Sequence, residues 1–164
     1  MANYFFERCM QQANHHKQAE TLADLTLGLV GCCQRKQERI AERAHLSLSE
    51  FKCLRAFRND SELSVKDIAH RMSLTSSRLT RIIDGLVKKR YVTRHIDPHD
   101  RRIINVRLTK QGETISRKVT NDCTHVYEQV LEHIDPKDHD RIISAVDQLW
   151  EVLQQRTEFV EEYE

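Results

Sequence analysis

Apolar positions along this chain follow two different periods, and the switch between them outlines the fold. From about Ala19 to Ala44, Leu22, Leu25, Leu29, Cys32 or Cys33, and Ile40 lie on one helical stripe. Ser47 and Glu50 have capping-box spacing ahead of Phe51, Leu54 and Phe57, so a second helix is predicted to run to about Arg58 and to end in the Asn59, Asp60, Ser61 loop. Ser64, with Asp67 three residues on, opens a third helix of about two turns that carries Val65, Ile68, Ala69 and Met72 and stops at Ser73 and Leu74. Thr75 is placed to cap a fourth helix, whose Leu79, Ile82, Ile83, Leu86 and Val87 fit an i, i+3, i+4, i+7, i+8 stripe. Its opposite face is Ser76, Ser77, Arg78, Thr80, Arg81, Asp84 and Lys88.

The period then changes. Tyr91 to Ile96 and Ile103 to Leu108 are β-branched or aromatic runs joined by the turn-rich Asp97, Pro98, His99, Asp100, Arg101, Arg102, which predicts a hairpin wing with a charged tip. Helical spacing returns at Ile115, Val119, Cys123, Val126 and Val130. Asp135 and Pro136 read as N-cap and first residue of a last helix carrying Ile142, Val146, Leu149, Trp150, Leu153 and Val160. The stripes of the first and last two helices exceed what a two-turn helix and a wing can cover, so they must bury against one another or against a second chain. The prediction is a mainly α chain. A winged helix-turn-helix domain (46–110) with a short two- to three-stranded antiparallel wing lies between an N-terminal arm and helix (1–45) and a C-terminal helical pair (111–164), the flanking helices forming a dimerisation layer.

Composition agrees. Four glycines and two prolines in 164 residues leave room for few turns, as a helical chain requires. Five cysteines (Cys9, Cys32, Cys33, Cys53, Cys123) without CxxC spacing argue against a disulfide framework and a zinc ribbon. No long apolar window and no basic-then-apolar leader is present, so the expectation is a cytoplasmic protein with no membrane partner. Charge adds more. Ser64 to Lys110 holds twelve Lys and Arg against four Asp, a local +8 in a chain whose net charge is +1. Such a concentration is an electrostatic footprint for a polyanion.

A short helix, a tight turn and a second helix that begins with small uncharged residues and carries basic ones is the helix-turn-helix pattern, with the second helix suited to a major groove. Ser76, Ser77 and Thr80 are short enough for close backbone approach, and Arg78 and Arg81 can reach guanine edges. At the wing tip Asp100, Arg101 and Arg102 sit where a narrow hairpin can place arginine in a minor groove, with Asp100 expected to hold one guanidinium in a salt bridge. Arg78, Arg81, Lys88 and Lys89 on the helix, and Arg94, Arg101, Arg102 and Arg107 on the wing, are expected to face a duplex.

Leu74 to Gly112, LTSSRLTRIIDGLVKKRYVTRHIDPHDRRIINVRLTKQG, resembles the signature region of the MarR family of winged helix-turn-helix transcriptional regulators. Recognition helix, D-P-x-D-R-R wing and L-T-x-x-G entry to the fifth helix stand in the family's order. The resemblance implies a homodimer on a palindromic operator in double-stranded DNA, most often a repressor released by a small aromatic or phenolic effector. It also implies that Ser76, Ser77, Arg78, Thr80 and Arg81 face the major groove and that Arg102, supported by Asp100, enters the minor groove. One residue departs from the pattern: Arg90 stands where the family commonly has glycine after the recognition helix.

Two other switches stay open. Cys9, Cys32 and Cys33 are candidate redox sensors, although Cys32 and Cys33 coincide with the apolar stripe, where at least one is expected to be a buried small hydrophobe. His95, Asp97, His99 and Asp100, and separately Cys9, His15 and His16, are ligand types that suit zinc, but a solvated turn explains the wing set and no metal site is assigned. No cofactor is implied. A phosphate loop, a nucleophile motif and metal-ligand spacing on one helix are all missing from the sequence, which argues against an enzyme. A winged fold kept only for protein contacts would be expected to lack the basic face and wing arginines that are present.

Overall fold

In the computed structural model the backbone is described for residues 2–155 and side chains for 14–155. Cys9 therefore has no described side chain, and Val160 lies outside the described residues. The first helix, α1 (Ala2–Arg43), begins well before Ala19. The apolar stripe marks only where the helix has something to bury; with no glycine or proline before Gly28, nothing interrupts it further back. It ends where His45 turns left-handed (φ 54°) and Leu46 N–H reaches back to the Ala41 carbonyl at 2.9 Å.

The capping box at α2 (Leu48–Ala56) is formed in both directions. Glu50 N–H donates to Ser47 Oγ at 3.2 Å, and Ser47 N–H donates to Glu50 Oε2 at 2.7 Å. Ser64 caps α3 (Val65–Met72) through the Asp67 N–H at 3.0 Å. Thr75 departs from expectation: it has the extended N-cap backbone ahead of α4 (Ser76–Lys88) but makes no side-chain cap bond, its hydroxyl lying 3.3 Å from Ser77 Oγ instead.

These helices converge on one core. Phe51, Leu54, Phe57, Ile68, Leu79, Ile83 and Leu86 are fully buried together with Val92, Val106 and Val119, each large side chain contributing roughly 1.5–3 kcal/mol. Below them lies a three-stranded antiparallel sheet in the order β1 (Glu62–Ser64), β3 (Ile104–Leu108), β2 (Val92–Ile96). Its register pairs Glu62 with Arg107 and Val92 with Leu108. The strand β1 is too short, and too evenly half-buried, for a two-residue alternation to reveal it.

At the end of α4, Tyr91 N–H donates to the Leu86 carbonyl and Arg90 N–H to that of Val87, both at 2.9 Å. This is a Schellman closure, with Arg90 left-handed at φ 59° where glycine is usual. The same corner receives α5 (Lys110–Glu132). Thr109 Oγ1 donates to the Arg90 carbonyl at 2.7 Å and accepts from Gly112 N–H at 3.0 Å, which presses the first turn of α5 against Tyr91. Ser116, buried on α5, donates to the Leu54 carbonyl at 3.2 Å.

The chain divides into two compact units, the second beginning at Asn121, so α5 gives its first turns to the winged unit. Within the second unit, Asp135 accepts from Lys137 N–H at the start of a 3-10 turn (Pro136–Asp138) that leads into α6 (His139–Gln155). Asp135 and Pro136 thus begin this turn rather than α6 itself. His139 Nε2 donates to the Leu131 carbonyl near the end of α5 and to the Ile134 carbonyl just beyond it, at 3.0 and 3.1 Å.

A Cβ at position 112 would overlap the Tyr91 carbonyl oxygen, backbone that cannot step aside. Gly112→Ala is expected to destabilise the winged unit by about 1–3 kcal/mol, measured as a lower urea midpoint with an unchanged slope.

Candidate nucleic-acid interface

The tight link between α3 and α4 is closed by Ser73 in the left-handed region (φ 51°) and by Leu74 N–H donating to the Ala69 carbonyl at 3.0 Å. With Leu79, Ile83 and Leu86 turned inward, α4 must present Ser76, Ser77, Arg78, Thr80 and Arg81 to solvent, and all five are exposed. Thr80 Oγ1 donates to the Ser76 carbonyl at 2.9 Å. Arg78 and Arg81 form no ion pair among the described residues, so their donors point outward unspent.

The wing tip is shaped by two aspartates acting on backbone. Asp97 Oδ1 accepts from His99 N–H at 2.8 Å and Asp100 N–H at 3.2 Å, while Asn105 Nδ2 donates to its other oxygen at 3.1 Å. The amides of His99 and Asp100, with Asn105, hold the Asp97 carboxyl below the usual aspartate range. Asp100 does not form the expected pair with a guanidinium; its Oδ1 accepts instead from Arg102 N–H at 2.9 Å. A short carboxylate finds the amide two residues on before it finds a mobile guanidinium, the geometry of an Asx turn. Arg101 and Arg102 are left exposed, without an ion pair among the described residues, on a tip whose backbone is pinned.

Three cations expected on the outward surface are engaged internally. Arg94 donates to Asp84 Oδ1 at 2.8 Å and to the Thr80 carbonyl at 2.9 Å, tying β2 to α4. Arg107 meets Glu62 at 2.6 Å, and His95 Nε2 meets the other Glu62 oxygen at 2.7 Å, so one carboxylate bridges all three strands. Arg107, burial and His95 act on the Glu62 carboxyl, with a net shift below the usual range. Lys89 donates to Glu50 Oε2 at 2.7 Å and to the His45 carbonyl at 2.8 Å.

Glu50 is where these elements meet. It is buried, it closes the α2 capping box, it holds Lys89 at the end of α4, and a Cβ at position 85 would lie 2.7 Å from its Oε1. Gly85 therefore stands in mid-helix, at a usual cost of about 1 kcal/mol, because α4 passes directly over this carboxylate. That glycine was the available signal for a contact that sequence separation otherwise hides.

The other candidates are scattered. Cys32 is exposed, contrary to its place on the apolar stripe, and its Sγ lies 3.1 Å from Arg35 Nη2; Cys33 is half-buried. Among the described residues no group of three or more His, Cys, Asp or Glu is placed to hold a metal ion, and no helix is long and apolar enough to cross a membrane.

Residues 46–104, which span α2 to the start of β3, match the model of the MarR family. That winged region is thus similar to the MarR family. Over about half its length it is 34% identical to YpoP, an uncharacterised HTH-type transcriptional regulator of Bacillus subtilis, and 31% identical to the HTH-type transcriptional regulator SarZ of Staphylococcus aureus. The matched stretches cover 50% and 51% of this chain and 58% and 57% of those relatives, so the chain spans little more than half their length. The fold is likewise similar to that of a MarR family protein from Bacillus stearothermophilus (TM-score 0.76, 19% identity, 85% of this chain and 97% of that one). It is also similar to a MarR mutant from E. coli solved with operator DNA (TM-score 0.67, 19% identity, 79% and 93%). The winged unit therefore presents Arg78 and Arg81 on α4 and Arg101 and Arg102 on the wing tip as exposed cations without an ion pair among the described residues.

Burial opposes ionisation of Glu50, but Lys89 and the Ser47 amide together hold its carboxyl below the usual glutamate range. A carboxyl depressed on folding adds stability above its unfolded pKa and loses it as pH falls through the folded value. Glu50→Gln is expected to cost about 1–3 kcal/mol at neutral pH and to flatten the loss of stability that the wild type shows as pH falls below the ordinary glutamate value of 4.5, followed by urea melts across that acid range.

Proposed function

We propose that this protein is a dimeric, sequence-specific DNA-binding transcriptional regulator, with α4 in the major groove and the wing tip in the adjacent minor groove. The observation that carries the reading is that Arg78, Arg81, Arg101 and Arg102 remain exposed, without an ion pair among the described residues, while Lys89, Arg94 and Arg107 are spent holding the scaffold. Ser76, Ser77 and Thr80 let the helix approach the duplex closely, and Arg78 and Arg81 read base edges. Asp100 fixes the Arg102 amide, so the minor-groove arginine is presented from a preformed turn.

Dimerisation is supported by the apolar side chains left exposed within each unit. On α1 these are Leu22, Leu25 and Leu29, and on α6 Val146, Trp150 and Leu153. A dimer places two copies of α4 on successive major-groove faces, the geometry of a palindromic operator. The regulator is read as a cytoplasmic repressor released by a small effector of aromatic or phenolic type, without catalytic activity. Redox control is the second reading, favoured by the exposure of Cys32, and the metal-responsive alternative has no assembled ligand set behind it.

Arg102→Ala is expected to weaken binding to a duplex selected by the wild-type protein by more than about 1 kcal/mol, with an unchanged melting curve. Arg78→Ala is expected to relax sequence preference at one base position by a comparable amount. Gel-shift titrations on the selected duplex and on single-base variants check both; unaltered affinity for Arg102→Ala would remove the wing from the interface.

A further inference from the structure

We propose that the basic groove between α2 and the end of α3 is a third DNA-contact surface, gripping backbone phosphates of the duplex beyond the stretch held by α4 and the wing. This rests on the DNA-binding reading above and extends its footprint. The groove has a volume of about 520 Å³, and its rim carries Lys52, Arg55, Arg58 and Arg71 with no acidic lining residue. Arg71 is neutralised by Asp60 at 2.8 Å and also donates to the Ala56 carbonyl. The other three are not neutralised: Lys52 and Arg58 make no ion pair among the described residues, and Arg55 lies over the Phe51 ring at 6.0 Å, a contact that leaves its donors free. Lys52 and Arg55 share one face of α2 because they are three residues apart. The nearest carboxylate on the helix, Glu50, points the other way into the core and is already paired with Lys89.

Position selects the occupant. Met72 and Leu74 line the groove, and Leu74 is two residues before the first residue of α4, so these cations flank the entry of the recognition helix. A duplex carries a phosphate charge about every 1.7 Å of axis, so cations beside that entry lie along the continuing backbone. Three unpaired cations strung along α2 and the following loop suit a run of phosphodiesters. None of them belongs to the strongly basic Ser64–Lys110 segment.

The test uses the 164-residue chain with Lys52→Ala and Arg55→Ala combined, both exposed positions, against a duplex selected from a random pool by the wild-type protein and against an unselected duplex. The expected result is a roughly tenfold loss of affinity for both duplexes and a fall of about 2 in the slope of log K against log salt, since each phosphate no longer neutralised removes about 0.9 from that slope. The pair Lys52→Arg and Arg55→Lys, which keeps the charge, is expected to retain the slope. Unchanged affinity and slope in the alanine pair, with wild type binding normally, overturns this proposal alone; wild type that binds neither duplex overturns the DNA-binding reading itself. Tripolyphosphate provides the last arm. If it raises the melting temperature of wild type but not of the alanine pair, while the DNA slopes coincide, the groove takes a free phosphoanion and the proposal is wrong.

Discussion

The winged unit is organised around one buried carboxylate. Glu50 closes the first turn of α2, binds the ammonium of Lys89 and fills the space left by Gly85, so a single side chain sets the distance between α2 and the C-terminal half of α4. A buried charge is tolerable only when its lone pairs are satisfied, and here the Ser47 amide and Lys89 converge on the same oxygen. That requirement makes the contact directional, unlike the apolar packing of Leu79, Ile83 and Leu86 around it. Apolar packing holds α4 in place; Glu50 fixes how far it can slide or roll.

From that point the geometry propagates along the chain. Lys89 ends α4, Arg90 turns left-handed, and the Schellman closure delivers Tyr91 to the sheet and its carbonyl to Thr109. Thr109 and Gly112 then seat α5 on the same corner. The wing is braced separately: Arg94 links β2 to α4, and Glu62 clasps Arg107 and His95 across the three strands. The helix α4 and the wing are thus held in a fixed relation by contacts that leave Arg78, Arg81, Arg101 and Arg102 exposed, and under the proposed function this lowers the ordering cost of binding a rigid duplex.

The winged architecture is legible in the sequence because its signals are local: the 3.6 and 2.0 periods, the Ser47 and Ser64 caps, and turn chemistry at Asp97–Arg102. Arg90, too, stands out there as an unusual left-handed position. What stays hidden has a common cause. Which arginine is outward and which is paired depends on neighbours far along the chain, and Arg94, Arg107 and Lys89 look identical in sequence to Arg78 and Arg102 until Asp84, Glu62 and Glu50 are brought beside them. Asp100 misleads for a related reason: the charge of its neighbours invites an ion pair, whereas the nearest unsatisfied donor is backbone. The strand β1 is hidden by its length, and the reach of α1 by the absence of any apolar demand on its first turns.

The charge distribution changes meaning once pairing is considered. The +8 of Ser64–Lys110 includes Arg71, Lys89, Arg94 and Arg107, whose fields are largely cancelled by Asp60, Glu50, Asp84 and Glu62. Three of those partners, Glu50, Asp60 and Glu62, fall outside the segment, so its own sum overstates the charge available to a polyanion. Lys52, Arg55 and Arg58 lie outside it as well and have no carboxylate to cancel them among the described residues. Long-range attraction follows net charge over a Debye length of about 10 Å, whereas phosphate contact follows individual unpaired cations. Contact under the proposed readings is therefore governed by individual cations that lack a carboxylate partner among the described residues, Lys52, Arg55 and Arg58 on and just after α2, Arg78 and Arg81 on α4, and Arg101 and Arg102 on the wing tip, regardless of where they stand in the sequence.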